Sequence, residues 1–215
     1  MAGFALVGSL SMLAGMVDAI GFIAAGDFVS FMSGNTTRLA IAIGDGRFDD
    51  AARLALILCV FVAGNTIGVV LVRTAHARIW PLLLGVCALL AASARLETGG
   101  LAMSGLVPAI LAMGAMNAAV ETVAGHPVGL TYVTGALSRF GKGLGRLLTG
   151  SRDRGFLVHV VPWLGMLTGA VGGALLQIHA HEIALDAGAA LAAALCLVTW
   201  LMPRAWTMAY LGADR

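Results

Sequence analysis

Six stretches of this chain, about 4–26, 54–72, 80–95, 101–123, 157–178 and 183–202, run apolar between charged or Gly-rich punctuation, at lengths that suit helices in lipid. A hydrocarbon core of about 30 Å takes about 20 helical residues per crossing. The 215 residues therefore supply about six to eight crossings and leave no room for an extramembrane domain. Composition agrees, with 60% hydrophobic and 11% charged residues and a mean hydropathy of +0.94. The expectation is one membrane domain, 1–215, all-α. The formal charge of +2 comes from scattered Lys and Arg with no like-charge run, which gives no reason to invoke nucleic acid. Cys59, Cys87 and Cys196 sit inside apolar runs without a pairing pattern and read as small core residues. No Lys or Arg precedes the first apolar stretch, so it is expected to stay as mature structure rather than to be a cleaved signal.

Two further segments, about 28–44 and 128–149, are apolar but interrupted by Ser, Thr and Gly, and they carry Arg38 in the first and Arg139, Lys142 and Arg146 in the second. They belong to an internal repeat. Ser30-Phe31-Met32-Ser33-Gly34-Asn35-Thr36-Thr37-Arg38-Leu39 matches Thr131-Tyr132-Val133-Thr134-Gly135-Ala136-Leu137-Ser138-Arg139-Phe140, with Gly34 and Gly135 101 positions apart. The pairs Gly64-x-x-x-Gly68 and Gly165-x-x-x-Gly169 keep that offset, and Gly15-x-x-Asp18-Ala19 resembles Gly114-x-x-Asn117-Ala118 at 99. The expected units are about 4–96 and about 101–202.

Each unit holds a first span with one polar residue, a Ser/Thr-Gly-Arg segment, a span with a small-x-x-x-small face and a plain apolar span. If the second element crosses, there are eight spans and the copies are parallel. If it is re-entrant or interfacial, there are six and the copies are inverted, as in many transporters. Either count leaves the cytoplasmic side richer in Lys and Arg when the N-terminus is inside, so the positive-inside rule does not choose. Cations at depth cost about 2.5–3.5 kcal/mol each on insertion scales, which favours six full spans plus two broken amphipathic or re-entrant segments.

The Ser-Gly-Asn-Thr-Thr-Arg run at 33–38, its Thr-Tyr-Val-Thr-Gly counterpart at 131–135, Asp18, and Gly114-x-x-Asn117-Ala118 closely resemble the YoaK-type family of bacterial membrane proteins over nearly the whole chain. Met116 stands where that family often has Gln. The resemblance implies the fold and a bacterial inner-membrane location, and brings no activity with it.

Asp18 lies about fifteen residues into its apolar segment, where an ionisable group is a functional-site candidate by default or else half of a structural ion pair. Its expected partner is Arg38 or Arg139. Asn117, in the matching place, is read as interhelical glue or a ligand group. Gly34 lets the backbone leave helical geometry, and such breaks at membrane depth face protein or a water-filled cavity. The expected solute path therefore takes in Asp18, Ser33, Gly34, Asn35, Thr36, Thr37 and Arg38, and Asn117, Tyr132, Thr134, Gly135, Ser138 and Arg139. Arg38 and Arg139 could present paired forks to an oxyanion, or snorkel to headgroups. Gly64, Gly68, Gly165 and Gly169 read as helix packing.

Gly141-Lys142-Gly143-Leu144-Gly145-Arg146 lacks the pattern of a phosphate loop, and His179-Ala180-His181-Glu182 has too few ligands for a metal site. No nucleophile-base pattern supports an enzyme, and no cofactor is expected. The expected function is a small-solute transporter or channel, with anions among the candidate solutes. Its rival is a non-transporting scaffold or partner subunit. A homodimer is expected because six spans are few for a complete secondary transporter, and the N-terminus is expected in the cytoplasm.

Overall fold

Gly and Asp punctuation cuts the apolar pattern into eight helices among the residues that the computed structural model describes: 2–75, 78–96, 103–118, 122–123, 126–127, 133–151 and 155–202. They are α1 (Ala2–Ala25), α2 (Met32–Gly44), α3 (Phe48–Thr74), α4 (Trp80–Leu96), α5 (Met103–Asn117), α6 (Val133–Leu148), α7 (Val160–His179) and α8 (His181–Leu201). A 3-10 turn, Gly155–His159, leads into α7, and Thr122–Val123 pairs antiparallel with His126–Pro127. The first apolar run of the second half thus stops as helix at Asn117, ahead of the expected 123, where Gly125 and Pro127 punctuate the sequence. In contrast, α3 begins six residues before its apolar run. Asp49 and Asp50 occupy its first turn, where the helix dipole favours carboxylates.

Stretches in α1, α3, the 3-10 turn with α7, and α8 are long and apolar enough to cross a bilayer, and α4 and most of α5 are shorter apolar helices. The protein is an all-α, multi-pass membrane protein. Large apolar side chains on the outer faces, such as Val62, Val70, Leu164, Leu175 and Trp200, are exposed as lipid contact requires, while Leu10, Leu13, Ile57, Leu83, Leu90 and Met113 fill the interior.

Helix directions decide the number of crossings. A Cβ added at Gly165, Gly169 or Gly173 would collide with the backbone carbonyl of Gly8, Met12 or Met16 respectively, so α7 lies against α1 at backbone contact and runs parallel to it. Gly64 and Gly68 meet the carbonyls of Leu111 and Ala115 in the same way, making α3 parallel to α5. By contrast, α4 and α8 are antiparallel: Cys196 Sγ donates to the Trp80 carbonyl at 3.3 Å, while at the other end Arg95 pairs with Asp186 at 3.2 Å. Eight alternating crossings would make α4 and α8 the fourth and eighth and therefore parallel. If only one of α2 and α6 crossed, α1 and α7 would be antiparallel. Only six crossings, with α2 and α6 both turning back, satisfy every pair.

The two glycine interfaces share a register, one turn away from the one the sequence offset suggests. When Met12 and Met16 are set against Leu111 and Ala115, the glycines that match Gly64 and Gly68 are Gly169 and Gly173, rather than Gly165 and Gly169. The reciprocal contacts agree, since Gly15 meets the Met166 carbonyl and Gly114 the Phe61 carbonyl.

Candidate functional site

After Ala25 the chain reverses at Gly26, whose φ of +74° suits a residue without a side chain, and it descends again beside α1. A Cβ at Gly21 would strike Val29, so this descent depends on a bare backbone in α1. Asp18 holds the bottom of the loop. Its Oδ1 accepts from the Val29 and Ser30 amides at 2.8 and 2.6 Å, and its Oδ2 accepts from Ser30 Oγ at 2.5 Å. Asp18 lies seven residues before the end of α1, so the loop reaches about 10 Å back along the helix before α2 starts. The carboxylate therefore serves as acceptor for amides that have no helical partner, and is not ion-paired with Arg38 or Arg139 as the sequence suggested.

Arg38 belongs instead to Asp27, at 2.7 Å. Asp27 is 1% exposed and also bonds to Arg53, in the second turn of α3. Arg53 continues to Asp50, Asp50 to Arg47, and Arg47 to Asp45, so the α1–α2–α3 corner is laced by alternating charges. Asn35, fully buried, clamps the loop from the other side: its Nδ2 donates to the Phe28 carbonyl at 2.6 Å and its Oδ1 accepts from the Phe28 amide at 3.3 Å.

Gly34 is not a break. It lies inside the continuous helix α2, where the absence of a Cβ makes room for the Phe28 and Phe31 rings. The break is upstream, at 26–31. Ser33 is exposed, and Thr36 and Thr37 return their hydroxyls to the carbonyls of Met32 and Ser33 within their own helix.

In the second half α6 is strongly amphipathic. It packs at its far end on the turn that opens α7, with Phe140 against Phe156 (ring centroids 5.7 Å apart) and Gly143 leaving space for the Phe156 ring. Its near end, Val133 and Thr134, stands beside the middle of α7. Thus α6 runs from beside the middle of α7 to the turn that opens it. Ser138 is exposed, Gly135 sits one turn before Arg139, and Arg139 Nε is buried without a hydrogen-bond partner among the described residues. Asn117 is half-buried as the last residue of α5, and Tyr132 lies outside the described residues.

Between these parts lies a cavity of about 580 Å³. Its walls are Gly15, Asp18, Ala19, Phe22 and Ile23 of α1, Phe28 and Phe31 of the loop, Val133 and Thr134 of α6, and Met166, Ala170, Val171 and Ala174 of α7. Of the described residues of the expected path, only Asp18 and Thr134 line it. Ser33, Gly34, Asn35, Thr36, Thr37, Arg38, Asn117, Gly135, Ser138 and Arg139 do not, and the two arginines are not brought together on it. The sequence reading missed the aromatic wall. Its trace was there: three of the eight phenylalanines fall at 22, 28 and 31. It also missed Asp27, which looked like loop punctuation after Gly26.

A protein-family profile described as a protein of unknown function, DUF1275, matches residues 6–202. The chain belongs to this family. The DUF1275 match extends from the first turns of α1 to just beyond α8, so every element that lines the cavity lies within it. A relative, the UPF0700 transmembrane protein RA0705 of Rhizobium meliloti (strain 1021), is 48% identical over 204 residues, covering 95% of this chain and 89% of that protein. No solved structure matches.

Proposed function

We propose that this DUF1275 protein is a small-solute transporter or channel of the bacterial inner membrane, with its N-terminus in the cytoplasm and its solute site in the cavity between α1, α6 and α7. The observation that carries the reading is the convergence of two re-entrant helices on one cavity. Phe31, which precedes α2, and Val133, which opens α6, both line it. Non-helical backbone at depth is tolerated where it is buried or lines a cavity, and discontinuous helices that start near the midplane are how many transporters build their sites.

The two halves are read as inverted copies, each with three crossings and one re-entrant helix. Their matched glycine registers support this, as does a cavity whose walls come from both halves. With the N-terminus inside, the cytoplasmic segments carry Arg73, Arg78, Arg146, Arg152 and Arg154, whereas Arg38, Arg47, Arg53 and Arg95 on the other side are each held by a carboxylate. An anion held between Arg38 and Arg139 is not supported, because neither lines the cavity. A homodimer remains the expected assembly, and the role is non-enzymatic.

A second reading, a non-transporting scaffold, draws on the hydrogen bonds that Asp18 and Asn35 spend on the 26–31 loop. Flux measurements on liposomes containing the purified protein separate the two. A panel of labelled cations, neutral solutes and anions is compared between wild type and Ala170→Trp, which fills the cavity. Flux above empty liposomes that the folded variant loses supports transport through this site. Absence of flux in every class, or flux indifferent to Ala170→Trp, contradicts it.

A further inference from the structure

We propose that the cavity takes an organic cation with an apolar body, its charged head beside Asp18 and its body against Phe22, Phe28 and Phe31. The inference rests on the solute-site reading above. Three observations carry it. First, Asp18 is a carboxylate within a membrane-spanning helix, 4% exposed, with no ion pair to Lys, Arg or His among the described residues. Its hydrogen-bond donors, the Val29, Ser30 and Phe31 amides and Ser30 Oγ, are all neutral, so they orient the group and leave its charge uncompensated. Second, the donors all belong to the short loop itself, the Phe31 amide included, so the loop fixes the carboxylate at the cavity wall. Third, the wall beside it is aromatic: Phe22 stacks on Phe28 at 4.6 Å, and Phe28 meets Phe31 edge-on at 5.2 Å.

A carboxylate next to phenyl rings is the pairing that recognises ammonium groups, since ring quadrupoles attract a cation while the carboxylate balances its charge. The volume falls among ordinary small-molecule pockets. The remaining lining residues are apolar apart from Thr134, so they suit the body of such a molecule and offer no donor fork to an anion. Among the described residues, Arg38 and Arg53 near the loop are already bound to Asp27, and no Lys, Arg or His lines the cavity.

The test uses three probes that share one ring and differ in charge: benzyltrimethylammonium, benzyl alcohol and benzoate. Each is titrated into the purified full-length protein in detergent, with affinity read by calorimetry and melting temperature. The proposal expects benzyltrimethylammonium to bind at least tenfold more tightly than the other two. It expects Asp18→Asn, which keeps an oxygen for the Val29 and Ser30 amides, to lose that preference tenfold or more while benzyl alcohol binding stays the same. Phe28→Leu serves as a second variant that keeps Asp18 and should weaken the cation more than the alcohol. Equal binding of cation and alcohol, insensitive to Asp18→Asn, overturns the ligand class and leaves the cavity standing as a solute site. Preference for benzoate overturns it in favour of an anion. If none of the three binds to wild type, the inference fails together with the site, whereas binding without flux in liposomes removes only the transport reading.

Discussion

Asp27 and Arg53 stand twenty-six residues apart and are joined by an ion pair, with the whole of α2 looped out between them. One residue sits just past the end of α1 and the other six residues into α3, so those two helix ends lie on the same side of the bilayer. A fully crossing α2 would separate them by about 30 Å. The pair therefore gives the re-entrant character of the first half independently of the helix directions.

Asp27→Ala should lower stability. The substitution leaves Arg38 and Arg53 facing each other without the carboxylate they share. Breaking a buried pair costs about 3–5 kcal/mol, but these guanidiniums are about one-third exposed, and solvent screening reduces the expectation to about 1–3 kcal/mol. Thermal unfolding in detergent checks this, and a melting temperature equal to wild type would contradict it.

Asp18 acts first on the loop. Asp18→Ala strands the amides of Val29 and Ser30, at about 1–3 kcal/mol for each unsatisfied group. Asp18→Asn retains one acceptor and should fall well short of that loss. Equal destabilisation by the two substitutions would show that charge, rather than hydrogen bonding, holds the loop.

Glycines in α7 divide by what faces them. Gly169→Ala pushes a methyl into the Met12 carbonyl and should cost about 1–3 kcal/mol or more. Gly172→Ala meets nothing within 4 Å and gains helix propensity, so it should be neutral or stabilising by up to about 1 kcal/mol. Parallel unfolding curves for the two variants check the contrast.

The crossing helices could be read from sequence because a run of about 20 apolar residues has few alternatives to a helix in lipid. Arg38 and Arg139 likewise marked α2 and α6 as poor candidates for full crossing, since cations at depth need partners. What the sequence hid were relationships between distant or neutral groups. The partners of Asp18 are backbone amides and the Ser30 hydroxyl, none of which carries a charge that would mark it. Asp27 sits between Gly26 and an apolar stretch and looks like ordinary loop chemistry, although it is among the most buried carboxylates described. Gly34 misled for a physical reason as well: glycine serves both where backbone must bend and where a ring must come close, and here the Phe28 and Phe31 rings decided.

Labelling of single cysteines in intact cells with a membrane-impermeant maleimide tests the six-crossing, doubly re-entrant arrangement most directly. Cys59, Cys87 and Cys196 are first replaced, and one cysteine is then placed at exposed Gly44, at the end of α2, or at exposed Thr149, just past α6. The account predicts that Gly44→Cys is labelled from outside and Thr149→Cys only after the membrane is opened. Labelling of both from the same side would mean that α2 and α6 cross, and would contradict the account.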